Sequence, residues 1–372
     1  MLKRSFFICI FLMSSIPAYS QYGGGTGEPN TPYQIADVND FQTLCATPTD
    51  WNKFFILTAD VDLTGLTFTQ SPIAPDTRTD DYFQGTPFTG IFDGKGYTIS
   101  NLKIAASEKD YIGLFGCAGG QICNLSVGNV NVTGSGRVGG LVGSNSGSIT
   151  SCYATGTVSG IDGLVGGLVG SNGGKITFCY ATGTVSGGGT VGGLVGYNFL
   201  SITSCHATGA VGGSFNVGGL AGKNEHGSIT SCYATGEVSG DWYVGGLVGD
   251  NSEVLISCYA TGSVTGTNYV GGLVGWNDSG TLTSCFWDVN TSNKTVGVGG
   301  GILTGVTGKT TAEMKTLATF TSAGWDFINV WVIVQNQTYP CLRTGLSADL
   351  NYDGVVDLFD LAIFADQWLE GI

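Results

Sequence analysis

Apolar and polar residues alternate after each of a series of cysteines in the middle of the chain. In the first of these segments, one set is Cys152, Ala154, Gly156 and Val158, and the other is Tyr153, Thr155 and Thr157. Alternation with a period of two places successive side chains on opposite faces of a strand, so we expect the first set inside and the second outside. Glycine recurs about every eight or nine residues, which predicts three short strands in each repeating unit.

The repeating unit is marked by the sequence Gly-Gly-Leu-Val-Gly. Its six copies are 139–143, 166–170, 192–196, 218–222 (with Ala221 in place of Val), 245–249 and 271–275. The following cysteines are 27, 26, 27, 26 and 27 residues apart. So short and regular a period indicates stacked coils, because one unit cannot bury its apolar residues alone. Val, Ile, Thr and Tyr favour strands. The sequence therefore predicts an all-β fold, a right-handed parallel β-helix with coils of about 26 residues.

The cysteines would form a ladder along the axis. Its members are Cys152, Cys179, Cys205, Cys232, Cys258 and Cys285. Leu125 precedes Cys152 by 27 residues and holds the same position, which indicates an apolar slot that a buried thiol also fits. We favour buried thiols over disulfides between neighbouring rungs, and both over a metal site, because the chain has no C-x-x-C pair. A Cys117–Cys123 disulfide is a further option, and Cys45 and Cys341 complete the mature cysteines.

An asparagine follows each Gly-Gly-Leu-Val-Gly copy. The series is Asn145, Asn172, Asn198, Asn224, Asn251 and Asn277. Asparagine tolerates a left-handed backbone, and its amide can hydrogen-bond locally or to the asparagine of the next coil. We interpret this series as a turn ladder rather than as a ligand-binding row.

The residue after each cysteine is aromatic or histidine, and its parity points outward. The row is Tyr153, Tyr180, His206, Tyr233, Tyr259 and Phe286. A continuous exposed aromatic row is unusual on a soluble protein, so it is our candidate ligand-binding face for a glycan or a protein partner. The alternative is that the row packs under a loop or supports the sheet.

The two ends of the chain differ from the repeats. We divide the chain into a signal peptide (1–20), irregular opening coils with an N-terminal cap (28–110), the repeats (111–295), a C-terminal cap (296–346) and a tail (347–372). The signal rests on Lys3 and Arg4, an apolar core and a small-residue cleavage site. No second long apolar run exists in the sequence, so no transmembrane span is expected. Thr310 and Glu313 have the spacing of a capping box, which predicts a short helix.

The tail carries a calcium-loop pattern of twelve residues. The predicted ligands are Asp349, Asn351, Asp353, the carbonyl of Val355, Asp357 and Asp360, with a turn glycine between the third and fourth. Oxygen ligands at loop positions 1, 3, 5, 7, 9 and 12 suit Ca²⁺. An amphipathic helix is expected to follow. Calcium is the one cofactor that the sequence predicts.

The repeat resembles the GLUG motif of secreted and surface bacterial proteins, in its Gly-Gly-Leu-Val-Gly…Asn…Ile…Cys-Tyr-Ala-Thr-Gly order. The opening residues Asp60–Leu63 and Phe92–Gly94 and the closing Tyr339-Pro340 also resemble that family. This resemblance implies a β-helix with a cell-surface or adhesive role, and it supplies no catalytic residues. The tail is similar to one half of a type I dockerin, whose loop also ends in Asp. The likeness implies attachment to a cohesin-like or cell-envelope partner.

The net charge of the chain and the distribution of its charged residues limit the functions that the sequence allows. The chain has a formal net charge of −14 and no basic patch, which argues against a nucleic-acid partner. Three functions remain: a secreted, surface-associated binding or adhesion scaffold, a polysaccharide-degrading enzyme, and a structural coat protein. Catalysis on polysaccharides needs paired carboxylates or a base beside acids, and the repeats carry only scattered charges. The acid-rich opening residues are Asp60, Asp62, Asp76, Arg78, Asp80 and Asp81. We assign no catalytic residue and favour the scaffold, with enzymatic activity left open.

Overall fold

The computed structural model describes residues 21–78 and 82–343. The predicted signal peptide, the calcium segment with its six ligands, and Asp80 and Asp81 lie outside the described residues. The described chain is an all-β parallel solenoid. The fold class predicted from the repeat period is confirmed.

Three parallel sheets run along the solenoid axis. The isoleucine sheet contains Tyr33–Ile35, Phe54–Leu57, Ile91–Asp93, Gln121–Cys123, Ser148–Thr150, Lys175–Thr177, Ser201–Thr203, Ser228–Thr230, Val254–Ile256 and Leu282–Thr283. The asparagine sheet contains Phe115–Ala118, Val142–Asn145, Val169–Asn172, Val195–Asn198, Ala221–Asn224, Val248–Asn251, Val274–Asn277 and Val298–Gly301. Identical repeat positions pair in register between coils, as in Asn172 with Asn198.

The third sheet is broader, because each coil contributes two or three short strands to it. Its strands are Val61–Asp62, Thr98–Ser100, Lys103–Ala105, Ser126–Gly134, Arg137–Gly139, Tyr153–Gly160, Leu164–Gly166, Tyr180–Ala181, Thr184–Gly192, His206–Ala207, Val211–Gly218, Tyr233–Ala234, Val238–Ser239, Trp242–Gly245, Tyr259–Ala260, Val264–Thr265, Asn268–Gly271, Cys285–Asp288 and Val306–Lys309. The predicted alternation holds on both sides of Gly156: Cys152, Ala154 and Val158 are buried. At Gly156 itself φ is +118°, and the pairing register shifts there, so the strand bends.

Glycine lets two sheets meet without side chains between them. A Cβ atom on Gly192, in the broad sheet, would lie 2.6 Å from the backbone nitrogen of Gly222. A Cβ atom on Gly196, in the asparagine sheet, would lie 2.6 Å from the backbone nitrogen of Val165. Any larger residue at either position would collide with the backbone of a neighbouring coil. We call this seam, where the broad sheet and the asparagine sheet join, the glycine edge.

Both ends of the solenoid are closed by bulkier elements. At the start, a helix at Val38–Ala46 is capped by Asp37, whose carboxylate accepts the backbone N–H groups of Asn39 and Asp40, and a 3₁₀ turn covers Pro48–Asp50. This helix was not predicted from the sequence. At the other end, Trp287 pairs in register with Ala260 and lies against Gly308, so an indole closes a column that alanine fills in the coils before it.

The C-terminal cap consists of two short helices, at Thr311–Met314 and Leu317–Thr321, and an antiparallel pair of strands, Trp331–Val332 with Cys341–Leu342. The predicted capping box is present: the Thr310 hydroxyl accepts the backbone N–H of Glu313, and the Glu313 carboxylate accepts that of Thr310. Asp288, which is fully buried, accepts hydroxyl hydrogen bonds from Thr311 and Tyr339, both at 2.7 Å. This carboxylate holds the cap to the last coil.

Candidate functional site

The predicted aromatic row forms a regular stack on the broad sheet. Adjacent ring centroids from Tyr153 through Tyr180, His206 and Tyr233 to Tyr259 are 4.6, 4.8, 4.7 and 5.1 Å apart, and the rings are within 9° of parallel. We call this series, with Phe286 at its end, the tyrosine stack. Its order follows from the coil period, because register pairing repeats one position at each coil spacing.

The expectation of a continuous exposed row is wrong for half of the stack. Tyr233, Tyr259 and Phe286 are 7, 1 and 5% exposed. The C-terminal cap covers them with a cluster that includes Trp325 and Trp331. The cap also forms a hydrogen bond with the stack, because the Tyr259 hydroxyl donates to the carbonyl oxygen of Pro340 at 2.5 Å. This is the alternative in which the row packs beneath another segment, and it leaves Tyr153, Tyr180 and His206 partly accessible.

Tyr180 and His206 are not covered by the cap, but packing against neighbouring rings buries much of each side chain and shifts its pKa. Burial lowers the pKa of His206 to about 4 and raises the pKa of Tyr180 to about 12. At neutral pH both side chains are therefore uncharged. His206 lies between the rings of Tyr180 and Tyr233 as a flat neutral ring, so this part of the stack offers ring surface rather than a general base.

The two internal ladders lie inside the solenoid. All six ladder cysteines are buried thiols, and Leu125 occupies the preceding rung at 0% exposure. Each ladder thiol donates to the carbonyl oxygen two residues before it, as Cys205 does to Thr203 at 3.1 Å. Cys117 and Cys123 are likewise thiols and form no disulfide with each other. Within 21–78 and 82–343, no group of three or more His, Cys, Asp or Glu residues is arranged to hold a metal ion.

The asparagine series forms a chain of side-chain amides. From Asn145 to Asn251, each Nδ2 donates to the Oδ1 of the asparagine in the next coil at 2.8 Å, and the Oδ1 of Asn277 accepts the last of these bonds. The same amides also bond locally, for example from Asn172 to the carbonyl oxygen of Gly174 at 2.9 Å. The ladder asparagines lie at the ends of strands, as Asn145 does in Val142–Asn145. Left-handed backbone occurs instead at positions such as Ser151 and Ser204, just before the ladder cysteines. The amide ladder is thus a buried structural element.

A second aromatic group, which sequence reasoning missed, lies at the glycine edge of the C-terminal coils. We call Trp242, Tyr243, Tyr269 and Trp276 the edge patch. The rings of Tyr243 and Tyr269 stack at 5.3 Å, and Trp276 meets Tyr269 edge-on at 4.9 Å. Trp242 is 39% exposed and Tyr269 is 41% exposed. Solvent-facing aromatic rings in mutual contact are a feature of binding surfaces.

The backbone beneath the edge patch is strained. Tyr243 and Tyr269 each have a φ of +54°, in the left-handed region, and Asn216 holds the equivalent position one coil earlier with a φ of +45°. Asparagine adopts this conformation readily, whereas a bulky residue there costs on the order of 1 kcal/mol. Such strain accumulates where a side chain serves a function other than stability.

A line of side chains in the asparagine sheet continues from the edge patch toward the middle of the solenoid. We call it the edge strip; in successive coils its members are Tyr197, Lys223, Asp250 and Trp276. The same position holds Ser144 and Ser171 in two earlier coils. Phe199 stacks on Tyr197 at 4.3 Å. The strip thus has an aromatic group at each end and charged groups in the middle.

The middle of the strip is acidic overall. The Lys223 ammonium lies 3.5 Å from an Asp250 carboxylate oxygen and 3.4 Å from a Glu225 oxygen. Burial raises the pKa of Asp250, the Lys223 charge opposes that rise, and the carboxylates of Glu225 and Asp278 add to it. The Lys223 ammonium therefore pairs with two carboxylates, and a third, that of Asp278, lies near Asp250.

The opening acids that the structure describes accept hydrogen bonds from nearby groups. The Asp60 carboxylate accepts the backbone N–H of Thr98 at 2.8 Å, and that of Asp62 accepts Thr64 and Asn101. Asp76 accepts the backbone N–H of Gln84 through Oδ1, while its Oδ2 is buried without a hydrogen-bond partner. The Asp62 carboxylate holds a turn at Thr64, and the Asp60 carboxylate links its coil to Thr98 of the next one, which are structural uses of a carboxylate.

The signal for the edge patch was present in the sequence. It consists of the residue before each Val-Gly-Gly-Leu and the residue after each Gly-Gly-Leu-Val-Gly, where aromatic residues replace residues such as Asn216 and Ser171 of earlier coils. Tyr243, Tyr269 and Trp276 occupy these positions.

In the described part of the chain, no helix is long and apolar enough to cross a membrane.

Comparison with known proteins identifies the repeats. Residues 134–159, 162–186, 187–212 and 213–239 match the GLUG motif. Halomucin from Haloquadratum walsbyi is 37% identical over 145 residues, which are 37% of this chain and 2% of halomucin. The chain thus spans only a small fraction of that curated relative. A Bacteroides ovatus structure described as "a putative immunoglobulin A1 protease" aligns with a TM-score of 0.50 and 22% identity, over 87% of this chain and 95% of that one. That likeness concerns the fold.

Proposed function

We propose that this GLUG-repeat solenoid is an extracellular binding scaffold that presents a face of its coils to a glycan or protein on a surface. The observation that carries the proposal is the edge patch, in which Trp242 and Tyr269 are exposed although their coils have a complete apolar core. The strained backbone of Tyr243 and Tyr269 adds support, because folding alone favours asparagine there. The export signal predicted at 1–20 is consistent with this location.

The test compares retention of the full chain on surfaces with that of a patch variant. The variant combines Trp242→Ala with Tyr269→Asn, and the surfaces are bacterial cell envelopes, insoluble polysaccharides and immobilised envelope proteins. We expect the wild-type chain to be retained on at least one surface and the variant to lose at least about tenfold in affinity. Equal retention of both chains would remove the edge patch from the binding function. No retention of the wild-type chain on any surface would remove the scaffold proposal.

We propose further that the tail attaches the scaffold through calcium. The predicted ligands from Asp349 to Asp360 lie outside the described residues, so the support is the spacing of their oxygen atoms. In titration calorimetry of the full chain with calcium, we expect binding at or below millimolar concentration. Asp349→Asn together with Asp353→Asn should abolish the heat of binding. A titration without heat in the wild-type chain, or one that the double variant leaves unchanged, would defeat the calcium proposal and leave the scaffold proposal intact.

A further inference from the structure

The edge strip has the length and direction of a site for a polymer. Its residues occupy equivalent positions in four successive coils, from Tyr197 to Trp276. Coils pair at the strand spacing of about 4.8 Å, so the two aromatic ends are roughly 14 Å apart along the axis. A ligand that contacts both ends must therefore be extended and must lie along the solenoid. A single small molecule at one end would leave the other end unused.

The rings at both ends present flat apolar surface beside polar groups. Tyr197 is stacked with Phe199, which is 40% exposed, and Trp276 packs with Tyr269. Gly300, in the next coil, permits this packing, because a Cβ atom there would lie 2.6 Å from the Trp276 ring and 2.7 Å from the Tyr269 ring. The negative face of an aromatic ring attracts weakly positive C–H groups, such as those on the flat face of a sugar ring.

The order of residue types distinguishes a glycan from a protein partner. A protein interface places aromatic and aliphatic anchors at its centre and charged residues at its rim. The edge strip has the reverse order, with Lys223 and Asp250 between the two aromatic groups. Sugar hydroxyl groups both donate and accept hydrogen bonds, so a chain of sugars can satisfy an ammonium and a carboxylate side by side.

The local charge further selects the class of glycan. The ammonium of Lys223 is ion-paired with both Glu225 and Asp250, the carboxylate of Asp278 lies near that of Asp250, and the whole chain has a net charge of −14. A polyanionic polysaccharide would be repelled from such a surface. We propose that the edge strip binds a neutral polysaccharide chain that runs along the solenoid axis. This inference rests on the proposed scaffold function and names the ligand class for its edge.

The repeat supplies variants that should keep the fold. Tyr197→Ser and Trp276→Ser each introduce the residue that Ser144 and Ser171 hold at the same position. The matched control is Phe178→Ser. Phe178 is 56% exposed and lies just before a ladder cysteine, where other coils have Ser151 or Ser204. All three changes remove an accessible aromatic ring and restore a residue that the repeat already tolerates.

Binding is measured by affinity electrophoresis of the full chain in gels containing one soluble polymer. The neutral polymers are galactomannan, mixed-linkage β-glucan and dextran, and the anionic polymers are polygalacturonate and alginate. We expect at least one neutral polymer to retard the wild-type chain, with about tenfold weaker affinity for each single variant and no detectable retardation of the double variant. Phe178→Ser should bind as the wild type does. With oligosaccharides of the bound polymer, affinity should rise with length until the chain spans both aromatic groups and then stay constant.

Several results would overturn the inference. They are retardation by anionic polymers alone, retardation by no neutral polymer, and equal affinity of the wild-type chain and the Tyr197→Ser, Trp276→Ser double variant. Each of these leaves the scaffold proposal standing if the chain is still retained on cell envelopes or envelope proteins. Loss of retention on every surface would instead defeat the scaffold proposal itself.

Discussion

The tyrosine stack and the edge patch consist of similar residues in overlapping coils, yet their surroundings differ. The last three members of the stack lie beneath the C-terminal cap, whereas Trp242 and Tyr269 of the patch face solvent. The stack also lies on relaxed strand backbone at Tyr233 and Tyr259, while the patch includes tyrosines in the left-handed region. The difference shows that aromatic residues repeated at the coil period serve stability where a cap covers them. Recognition is the better interpretation where uncovered rings on strained backbone also contact one another, as those of Tyr243 and Tyr269 do.

The largest expected effect comes from a substitution in the cluster of the C-terminal cap that covers the tyrosine stack. Trp331→Ala removes a fully buried indole that contacts Tyr233 and Tyr259. We expect the free energy of unfolding of the capped end to fall by about 3–5 kcal/mol, because a large cavity is left in the cluster. Denaturant unfolding and hydrogen exchange at Tyr259 measure this loss.

The matched control is Trp242→Ala on the open side, where the expected loss is only about 1 kcal/mol because the indole is 39% exposed and its removal leaves a space open to water rather than a cavity. Similar losses for Trp331→Ala and Trp242→Ala would contradict the distinction between the covered and open sides.

Acid pH should lower the free energy of unfolding through His206, in the part of the stack that the cap does not cover. The folded pKa of His206 is about 4, below the ordinary 6.5, because the imidazole is buried. The unfolded chain therefore binds the proton more tightly, and stability should fall as the pH drops from about 6.5 to about 4. We expect a loss of a few kcal/mol over that window, at about 1.4 kcal/mol per pH unit.

The variant His206→Tyr isolates this contribution, because it restores the residue of the neighbouring coils and has no group that titrates in the window. Denaturant unfolding at pH 7 and pH 4.5 should show less acid destabilisation in the variant than in the wild type. An equal acid response would show that His206 is not the group responsible.

The smallest expected effect tests the strain on the open side. Tyr243→Asn places at a φ of +54° the residue that Asn216 provides one coil earlier. Relief of strain on the order of 1 kcal/mol should offset the lost contact with Tyr269, so the free energy of unfolding should stay within about 1 kcal/mol of the wild type.

A second change, Asn216→Val, should destabilise the protein, since it places a β-branched residue in the left-handed region and adds no ring that could stack on Tyr243. If Tyr243→Asn costs more than about 2 kcal/mol in thermal unfolding, the edge patch contributes mainly to stability.

The sequence predicted those features that depend on period. The 26- and 27-residue steps between cysteines predicted the parallel solenoid, and Leu125 identified the cysteine rung as an apolar slot. Parity also assigned Tyr153 and Thr157 to the outer face. These inferences succeed because register pairing converts a repeat in sequence into a column in space.

Whether an outer residue stays exposed cannot be predicted from parity. The cover over Tyr233 and Tyr259 comes from residues 310–343, which are far away in sequence and have no repeat of their own. Nor does parity show that a tyrosine such as Tyr269 lies in left-handed backbone, because neighbouring coils place different residue types there. The helix at Val38–Ala46 was missed for a related reason: it occurs once, in an irregular opening region without a period.

One residue at the end of the array bears on how the protein could have evolved its length. Trp287 closes the column that Ala154, Ala181, Ala207, Ala234 and Ala260 fill in the preceding coils. Duplication of an internal coil would insert another alanine before that tryptophan and leave both caps unchanged. Each such event would lengthen the rod by about 4.8 Å. Gene duplication can therefore adjust the reach of the protein in small steps without inventing a new end.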